Sequence, residues 1–407
     1  MKSIHPPLPL FDSIEYFDKN SFHYLDDGYF LDDIKVAINF LKSYKEAQGT
    51  FNSYRREIER LLHWSALILQ KPLNEFRRND IESFIKFCQK PPKKWIGFSK
   101  PPKFLDKDGE RIPNSNWRPF IVTISKSAHR KGETLDKNKF ELSNGSIKEM
   151  FAILSSFYNY MLHEEYVYMN PVALIRQKTS FIRKRQSPPK IRRLSELQWD
   201  YVIKTTEELA NDNHESFERP LFILSALYSM YLRVSELTAT DRWIPQMKDF
   251  HRDLDGNWWF TTVGKGNKER DIAVSNSMLK ALKRWRKFLG LSMIPTPADN
   301  SPLLPKIKGI GPVKSTNYIR NIVQKSFDLA IEKLKKDGFS DEAESLNDAT
   351  VHWLRHTGIS DDVKHRPREH VRDDAGHGSS AITDKYIDIE KRERHKSAKK
   401  KVISDEF

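Results

Sequence analysis

The sequence predicts a mostly α-helical protein in which a helical first domain precedes an α-rich second domain with a small antiparallel sheet. Its 407 residues exceed what a single hydrophobic core usually organises, so two domains are expected. Apolar residues recur at helical spacing in several long stretches. Strand signals are strong in only one region, where the turn dipeptide Asp255-Gly256 precedes WWFTTV (258–263) and RDIAV (270–274).

The first half of the chain carries two amphipathic stripes with helical spacing: Tyr54, Ile58, Leu61, Ser65 and Ile68, then Ile147, Phe151, Leu154, Tyr158 and Met161. Asn79 followed by Glu82 predicts a capping box that opens a helix from Asp80 to Gln89. The segment 91–119 contains six prolines, which predicts a long loop or insertion within the first domain.

These patterns predict five regions: an irregular N-terminal segment (1–30), a helical domain (31–175), a basic linker (176–194), a second domain (195–390) and a basic C-terminal tail (391–407). The second domain is expected to open on a helix that is capped by Ser195 together with Gln198.

Positive charge dominates the composition. Lys and Arg total 69 against 55 acidic residues, a net charge of +14, which favours a polyanionic partner such as nucleic acid. The single cysteine, Cys88, excludes an internal disulfide framework and a cysteine-based zinc cluster, and its apolar surroundings predict a buried thiol. With no signal peptide and no apolar run of membrane-spanning length, the chain is expected to be cytoplasmic, or associated with a bacterial nucleoid.

The linker contains eight cations and no acid: Arg176, Lys178, Arg183, Lys184, Arg185, Lys190, Arg192 and Arg193. A basic run of this kind is typical of a solvated connection between domains. It is equally compatible with contacts along the phosphate backbone of DNA, and the two interpretations do not exclude each other.

Four pieces of the second domain contain residues that are suited to chemistry. Arg233 comes at the end of an apolar helix and precedes Glu236, with which it could simply form a salt bridge. The turn GKGNKER (264–270) presents Lys265 and lacks the spacing of a phosphate-binding P-loop.

The other two pieces lie further along the chain. A helix over VHWLRHT (351–357) would place His352 on the same face as Arg355 and His356. Two histidines four residues apart could also ligate a metal, but the zinc-protease pattern needs a glutamate where Trp353 stands. Finally, His377 precedes Tyr386 by nine residues.

Taken singly, each piece is more often structural, but together they supply what a metal-free attack on a phosphodiester requires. Two arginines can neutralise the non-bridging phosphate oxygens, where charge builds in the transition state. Histidines can move protons near neutral pH, and a lysine can protonate the departing sugar oxygen. A tyrosine can serve as the covalent nucleophile.

These residues resemble the tyrosine recombinase family of phage integrases and Xer-type proteins. The family motifs appear in the family's order as LRVSEL (232–237), GKGNKER (264–270), HWLRHT (352–357), Gly376-His377 and Tyr386. The motif resemblance covers roughly residues 195–390, whereas residues 31–175 resemble the family's core-binding domain in pattern only.

The resemblance implies a role for each matching residue. Tyr386 would attack the scissile phosphate and leave a 3′-phosphotyrosine, while Arg233 and Arg355 would hold that phosphate. His352 and His377 would assist proton transfer and position the phosphate. Lys265 would be the general acid, although Lys268 lies in the same hairpin. Glu236 would orient Arg233 or His352.

The resemblance also implies a clamp around double-stranded DNA and a homotetramer acting on two recombination sites, without metal, ATP or another cofactor. Accessory DNA-bending or directionality factors and a role in a mobile genetic element fit the same class. The alternatives are a type IB topoisomerase-like enzyme, a metal-dependent phosphohydrolase that uses the histidines, and a non-catalytic DNA-binding relative.

Two departures from the family pattern bear on the second domain. Tyr231 stands where the family usually has a glycine before the LR pair. The stretch 358–375 is unusually charged and lacks the customary apolar and glycine content, although it must pack His377 and Tyr386 into place.

Overall fold

The computed structural model describes residues 5–17, 28–178, 192–264 and 266–378. The chain divides into two compact units, Met1–Ser187 and Pro188–Phe407, and each has its own hydrophobic core. Several predicted residues lie outside the described part of the chain: Arg183, Lys184, Arg185, Lys190, Lys265, Tyr386 and the tail 391–407. Within the described residues, no helix is long and apolar enough to cross a membrane.

The first unit is built mainly from helices: α1 (Gly28–Lys42), α2 (Gln48–Trp64), α3 (Arg78–Gln89), α4 (Lys126–Arg130), α5 (Asn144–His163) and α6 (Pro171–Lys178). Both predicted stripes are confirmed, since their residues are buried in the core of this unit or packed against it. The last turn of the first stripe widens into a π-helix, Ser65–Leu69. The thiol of Cys88 is buried, as predicted.

The predicted start of α3 is wrong by two residues. The helix begins at Arg78, and the carboxylate of Asp80 accepts the N–H of Arg77 at 2.8 Å. Asp80 therefore occupies the third helical position, from which a side chain reaches back to the cap. Glu82 lies two residues too late for this and pairs with Arg78 at 2.8 Å instead.

The predicted loop at 91–119 is instead a folded β segment. It contributes three short strands, β1 (Ile96–Gly97), β2 (Phe104–Lys107) and β3 (Glu110–Pro113), and β4 (Phe120–Ile121) follows directly after it. β2 and β3 form an antiparallel hairpin, and β1 pairs in parallel with β4. Burial of Trp95, Trp117 and Phe120 offsets the cost of ordering this proline-rich chain.

The second unit is also mostly helical, which confirms the predicted fold class. Its helices are α7 (Glu196–Asp212), α8 (His214–Ser229), α9 (Asn276–Phe288), α10 (Thr316–Lys336), α11 (Ser340–Leu346), α12 (Val351–Asp362) and α13 (Arg368–Ala375). The predicted capping box is confirmed, since Ser195 accepts the N–H of Gln198 at 3.1 Å and the Gln198 side chain accepts the N–H of Ser195 at 2.9 Å.

One antiparallel sheet accompanies these helices. Its strands are β5 (Phe250–Arg252), β6 (Trp258–Val263) and β7 (Glu269–Ala273), in that order across the sheet. The two predicted strands are confirmed, and Phe260 pairs with Ile272 in a register that buries both side chains. The hairpin between β6 and β7 places the GKGNKER turn at one end of the sheet.

Helices α8 and α12 approach each other unusually closely. A Cβ atom added to Gly358 would lie 2.1 Å from the carbonyl oxygen of Tyr228, so only glycine fits at this crossing. The side chain of Thr357 accepts the N–H of Leu194 at 2.9 Å and ties the same helix to the start of the unit. These contacts position the His352 and Arg355 turn of α12.

Candidate active site

The segment that carries Arg233 is set by the backbone at Tyr231. The apolar helix α8 ends at Ser229, so Arg233 lies beyond it, and the expectation that the arginine sits at the helix end is corrected. Tyr231, which stands where the resemblance leads one to expect a glycine, has φ +50°, in the left-handed region that favours glycine. The Tyr231 hydroxyl donates to Asp362 and accepts from Arg366 at 2.9 Å, contacts that offset the strain.

Glu236 is the centre of an ion-pair network. It is 1% exposed, and its Oε1 accepts from Arg233 Nη1 at 2.9 Å and from Arg270 Nη1 at 3.0 Å. Its Oε2 accepts the N–H of Arg233 at 2.8 Å and Arg270 Nη2 at 3.0 Å. Burial raises the pKa of the Glu236 carboxyl, but the hydrogen bonds and charges of the two arginines outweigh it and hold the pKa below its usual value. Glu236 is therefore negatively charged, and its carboxylate orients the Arg233 side chain.

Arg355 is buried and held by backbone carbonyl groups. It is 3% exposed, its Nη1 donates to the carbonyl oxygen of Tyr231, and its Nη2 donates to that of Ala375 at 2.5 Å. These two acceptors come from the turn that leads to Arg233 and from the end of α13. Arg355 is thus fixed between the segment that carries Arg233 and the segment that carries His377.

His352 and His356 occupy adjacent turns of α12. Their rings meet nearly edge to face, with centroids 4.5 Å apart and planes at 79°. Burial, followed by the neighbouring charges of His352 and Arg355, lowers the pKa of His356 to about 4. The pKa of His352 is also lowered, by burial and then by the charges of Arg355 and Arg233.

His377 follows the end of α13. Its N–H donates to the carbonyl oxygen of Arg372 at 3.1 Å, which closes the helix and sets the direction of the chain. Burial lowers the pKa of His377 to about 4, and the positive charges of three arginines act in the same direction: Arg355, Arg233 and Arg270. The imidazole is neutral at neutral pH and can accept a proton there.

The charged stretch 358–375 is stabilised largely by pairing among its own residues. Arg366 donates to Asp362 at 3.1 Å and to Asp374 at 2.6 Å, and Asp374 in turn accepts the N–H of Ala273 on β7 at 3.3 Å. Despite the low apolar content of this stretch, three of its side chains join Tyr231 in a small buried cluster: Ile359, Val371 and Ala375. Both kinds of contact support the chain that leads to His377.

The second unit therefore brings five predicted residues to one place: Arg233, Glu236, His352, Arg355 and His377. Lys268 is exposed on the hairpin. Arg270 is not among the site residues predicted from the sequence, although its position as the last residue of the GKGNKER motif could have indicated it. Within the described residues, no group of three or more His, Cys, Asp or Glu side chains could hold a metal ion.

The predicted linker cations divide by position. Arg176 and Lys178 lie in α6, whose last side chains are outside the described part. Arg192 is close enough to His352 and His356 for its charge to lower the pKa of both. Arg193 lies 3.9 Å from a carboxylate oxygen of Asp361.

Comparison with known proteins points to one family. No family model matches the chain. It is 26% identical over 255 residues to the tyrosine recombinase XerC of Leptospira interrogans, covering 62% of this chain and 70% of that protein. It is 27% identical over 286 residues to XerC of Thermodesulfovibrio yellowstonii, covering 70% and 74%.

A solved structure supports the fold. The XerH site-specific recombinase bound to a palindromic difH substrate superposes with a TM-score of 0.54 at 15% identity, over 97% of this chain and 98% of that chain. At this identity the likeness concerns the fold alone.

Proposed function

We propose that the chain is a site-specific DNA recombinase of the tyrosine recombinase family, to whose XerC members it is 26% and 27% identical, and that its nucleophile is Tyr386. The observation that carries the proposal is a cluster of cations and a histidine: Arg233 pairs with the buried Glu236, and Arg233 and Arg355 both lie close enough to His377 for their charges to lower its pKa. Buried or half-buried arginines beside neutral histidines form a site for an anion.

The scissile phosphate binds between Arg233 and Arg355. Arg355 is held by two carbonyl groups and Arg233 by Glu236, so neither guanidinium has to reorganise when negative charge builds on the non-bridging oxygens. Each bound phosphate charge also raises the pKa values of His352 and His377 again, because an anion favours the imidazolium form. Phosphate binding thereby prepares the histidines to take up a proton.

The covalent step exchanges one phosphate ester for another. The Tyr386 oxygen bonds to phosphorus while the bond from phosphorus to the 5′ oxygen breaks, and His352 and His377 assist the loss of the phenolic proton. Lys265 supplies a proton to the departing 5′ oxygen. Because the phosphotyrosine retains the ester bond, the reverse reaction with a new 5′ hydroxyl reseals the strand without ATP.

Duplex DNA is the partner that this chemistry requires. The structural relative XerH is bound to its difH substrate in a post-cleavage complex. Exchange between two duplexes breaks four strands, and one nucleophile per strand makes a homotetramer on two sites the working assembly. Cations of the linker 176–194, Arg192 among them, lie along the backbone near the cleaved phosphate.

The first experiment traps the covalent intermediate. Short duplexes with a randomised centre and a nick in one strand are incubated with the protein in EDTA, and DNA that stays attached after denaturation is sequenced. A nick lets the cleaved fragment diffuse away, so the phosphotyrosine accumulates. Tyr386→Phe should bind the selected DNA with unchanged affinity and give no covalent complex, because only the nucleophilic oxygen is lost.

Other outcomes identify other functions. A denaturation-resistant adduct with Tyr386→Phe would show that another residue is the nucleophile. Activity that EDTA abolishes and zinc or magnesium restores would indicate a metal-dependent phosphohydrolase. Attachment without any sequence preference, accompanied by relaxation of plasmid DNA, would indicate a type IB topoisomerase.

A further inference from the structure

We infer that Arg270 is a positioning residue that locks the Arg233 segment, the β6–β7 hairpin and the His377 segment into one catalytic unit. The inference rests on the proposed function for its catalytic consequence. Arg270 lies on β7, at the base of the hairpin whose turn carries Lys265. Its side chain is 11% exposed, so it is withdrawn from solvent.

One end of the Arg270 guanidinium holds the Arg233 segment. Nη1 and Nη2 each donate to a different oxygen of Glu236 at 3.0 Å, a bidentate pair of fixed geometry. The same two oxygens hold the backbone N–H and the side chain of Arg233. Arg270 thus keeps the Glu236 carboxylate charged and oriented. Because Arg270 neutralises part of that buried charge, Arg233 does not have to neutralise it alone and can share its own positive charge with a substrate.

The Nε atom of Arg270 holds the His377 segment. It donates to the carbonyl oxygen of Asp374 at 2.9 Å, while Arg355 donates to that of the next residue, Ala375. The last carbonyl groups of a helix lack partners within the helix and carry partial negative charge. Two arginines therefore cap α13 immediately before the turn to His377, and one of them is a predicted phosphate ligand.

The two glycines of the surrounding motifs leave room for this side chain. A Cβ atom on Gly264 would lie 2.9 Å from Arg270 Nη1, and one on Gly376 would lie 2.9 Å from Arg270 Cδ. Gly376 also has φ +63°, a left-handed conformation that favours glycine. Arg270 is thus enclosed on two sides by the motif residues that precede Lys265 and His377.

The test compares three variants of the full chain. Arg270→Met removes the charge and all three hydrogen bonds, whereas Arg270→Lys keeps the charge. Arg284→Met is the matched control, since Arg284 makes an equivalent pair with Glu218, with its Nε atom 2.9 Å from both carboxylate oxygens, outside the candidate site. Affinity for the selected nicked duplex, the rate of covalent complex formation at saturating DNA, and thermal unfolding are measured for each.

We expect Arg270→Met to bind DNA normally and to form the covalent complex about a hundredfold more slowly, as misplacement by about 1 Å can cause. Arg270→Lys should recover part of the rate, and Arg284→Met should retain all of it. The acid limb of the rate profile should move to higher pH in Arg270→Met, because burial raises the Glu236 pKa once only Arg233 opposes it. An Arg270→Met rate no lower than that of Arg284→Met would overturn the inference, as would a loss of rate fully matched by loss of affinity and stability.

A second readout does not depend on catalysis. In histidine-labelled protein without DNA, the NMR titration of His377, assigned with His377→Gln, should move from a pKa of about 4 upward in Arg270→Met and stay in place in Arg284→Met. Both the loss of a nearby cation and the release of the segment act in this direction. An unchanged His377 titration would contradict the inference. Failure of the wild-type protein to form any covalent complex, with the His377 shift present, would instead contradict the proposed function alone.

Discussion

At the scale of single residues, Gly358 sets the distance between α8 and α12. Its missing side chain leaves the carbonyl oxygen of Tyr228 room to approach, since an added Cβ atom would lie 2.1 Å away from that oxygen. The clash would be with backbone, which cannot rotate away as a side chain can. Any larger residue must therefore push apart the two helices that position Arg355 and the turn to Arg233.

We predict that Gly358→Ala lowers the free energy of unfolding by about 3 kcal/mol, the upper range for overpacking a core. Urea unfolding followed by circular dichroism measures the change. Gly145→Ala is the control, because the Cβ atom at this position on α5 would meet only Ser143 Oγ, at 3.6 Å. The control should be stable or gain up to about 1 kcal/mol from helix propensity. Equal effects of the two substitutions would contradict the packing argument.

At the scale of elements, the β segment over 91–121 packs on α2 around a buried histidine. His63 is fully buried, its ring lies near those of Trp95 and Trp117, and neither ring nitrogen has a hydrogen-bond partner within the described residues. Burial lowers the pKa of His63 to about 4, although the nearby Glu59 charge opposes this. The His63 side chain therefore packs against the two tryptophans as a neutral aromatic ring.

The depressed pKa predicts acid sensitivity. As pH falls below 6.5 the unfolded chain binds a proton at this position while folded His63 does not, so stability is lost between pH 6.5 and about 4. The full effect is roughly 3 kcal/mol. We predict that His63→Phe removes this part of the pH dependence, measured as the difference between wild-type and variant urea unfolding at several pH values. Parallel curves for the two proteins would show that His63 does not titrate as argued.

At the scale of the whole molecule, the net charge of +14 makes DNA affinity depend on salt. We predict that neutralising Arg183, Lys184, Arg185 and Lys190 flattens the slope of log K against log salt by about 3 to 4, because each lost phosphate contact contributes about 0.9. Fluorescence anisotropy with a fixed duplex over a range of salt concentrations measures this slope.

The control for the salt slope changes net charge equally at four lysines that pair with carboxylates: Lys35, Lys139, Lys204 and Lys333. This variant should keep the wild-type slope, since these side chains already have acidic partners. Equal flattening in both variants would mean that net charge, and not contact by the linker, governs binding.

The sequence by itself determined several of the helices, the β6–β7 hairpin and the order of the candidate residues. These depend on local signals such as the stripe from Ile147 to Met161, the Ser195 cap and the spacing from His352 to Arg355. Side-chain periodicity and capping act over a few residues, so they can be read directly from the chain.

Only the tertiary structure decided which residues hold the candidate site together. Arg270 reaches Glu236 across 34 positions of the chain and Asp374 across 104, and no local pattern encodes such a pairing. The folded β segment at 91–121 likewise depends on burial of its aromatic side chains against α2, whereas its prolines locally predict a loop. In both places the free energy comes from contacts between distant parts of the chain, which exist only once the elements have packed.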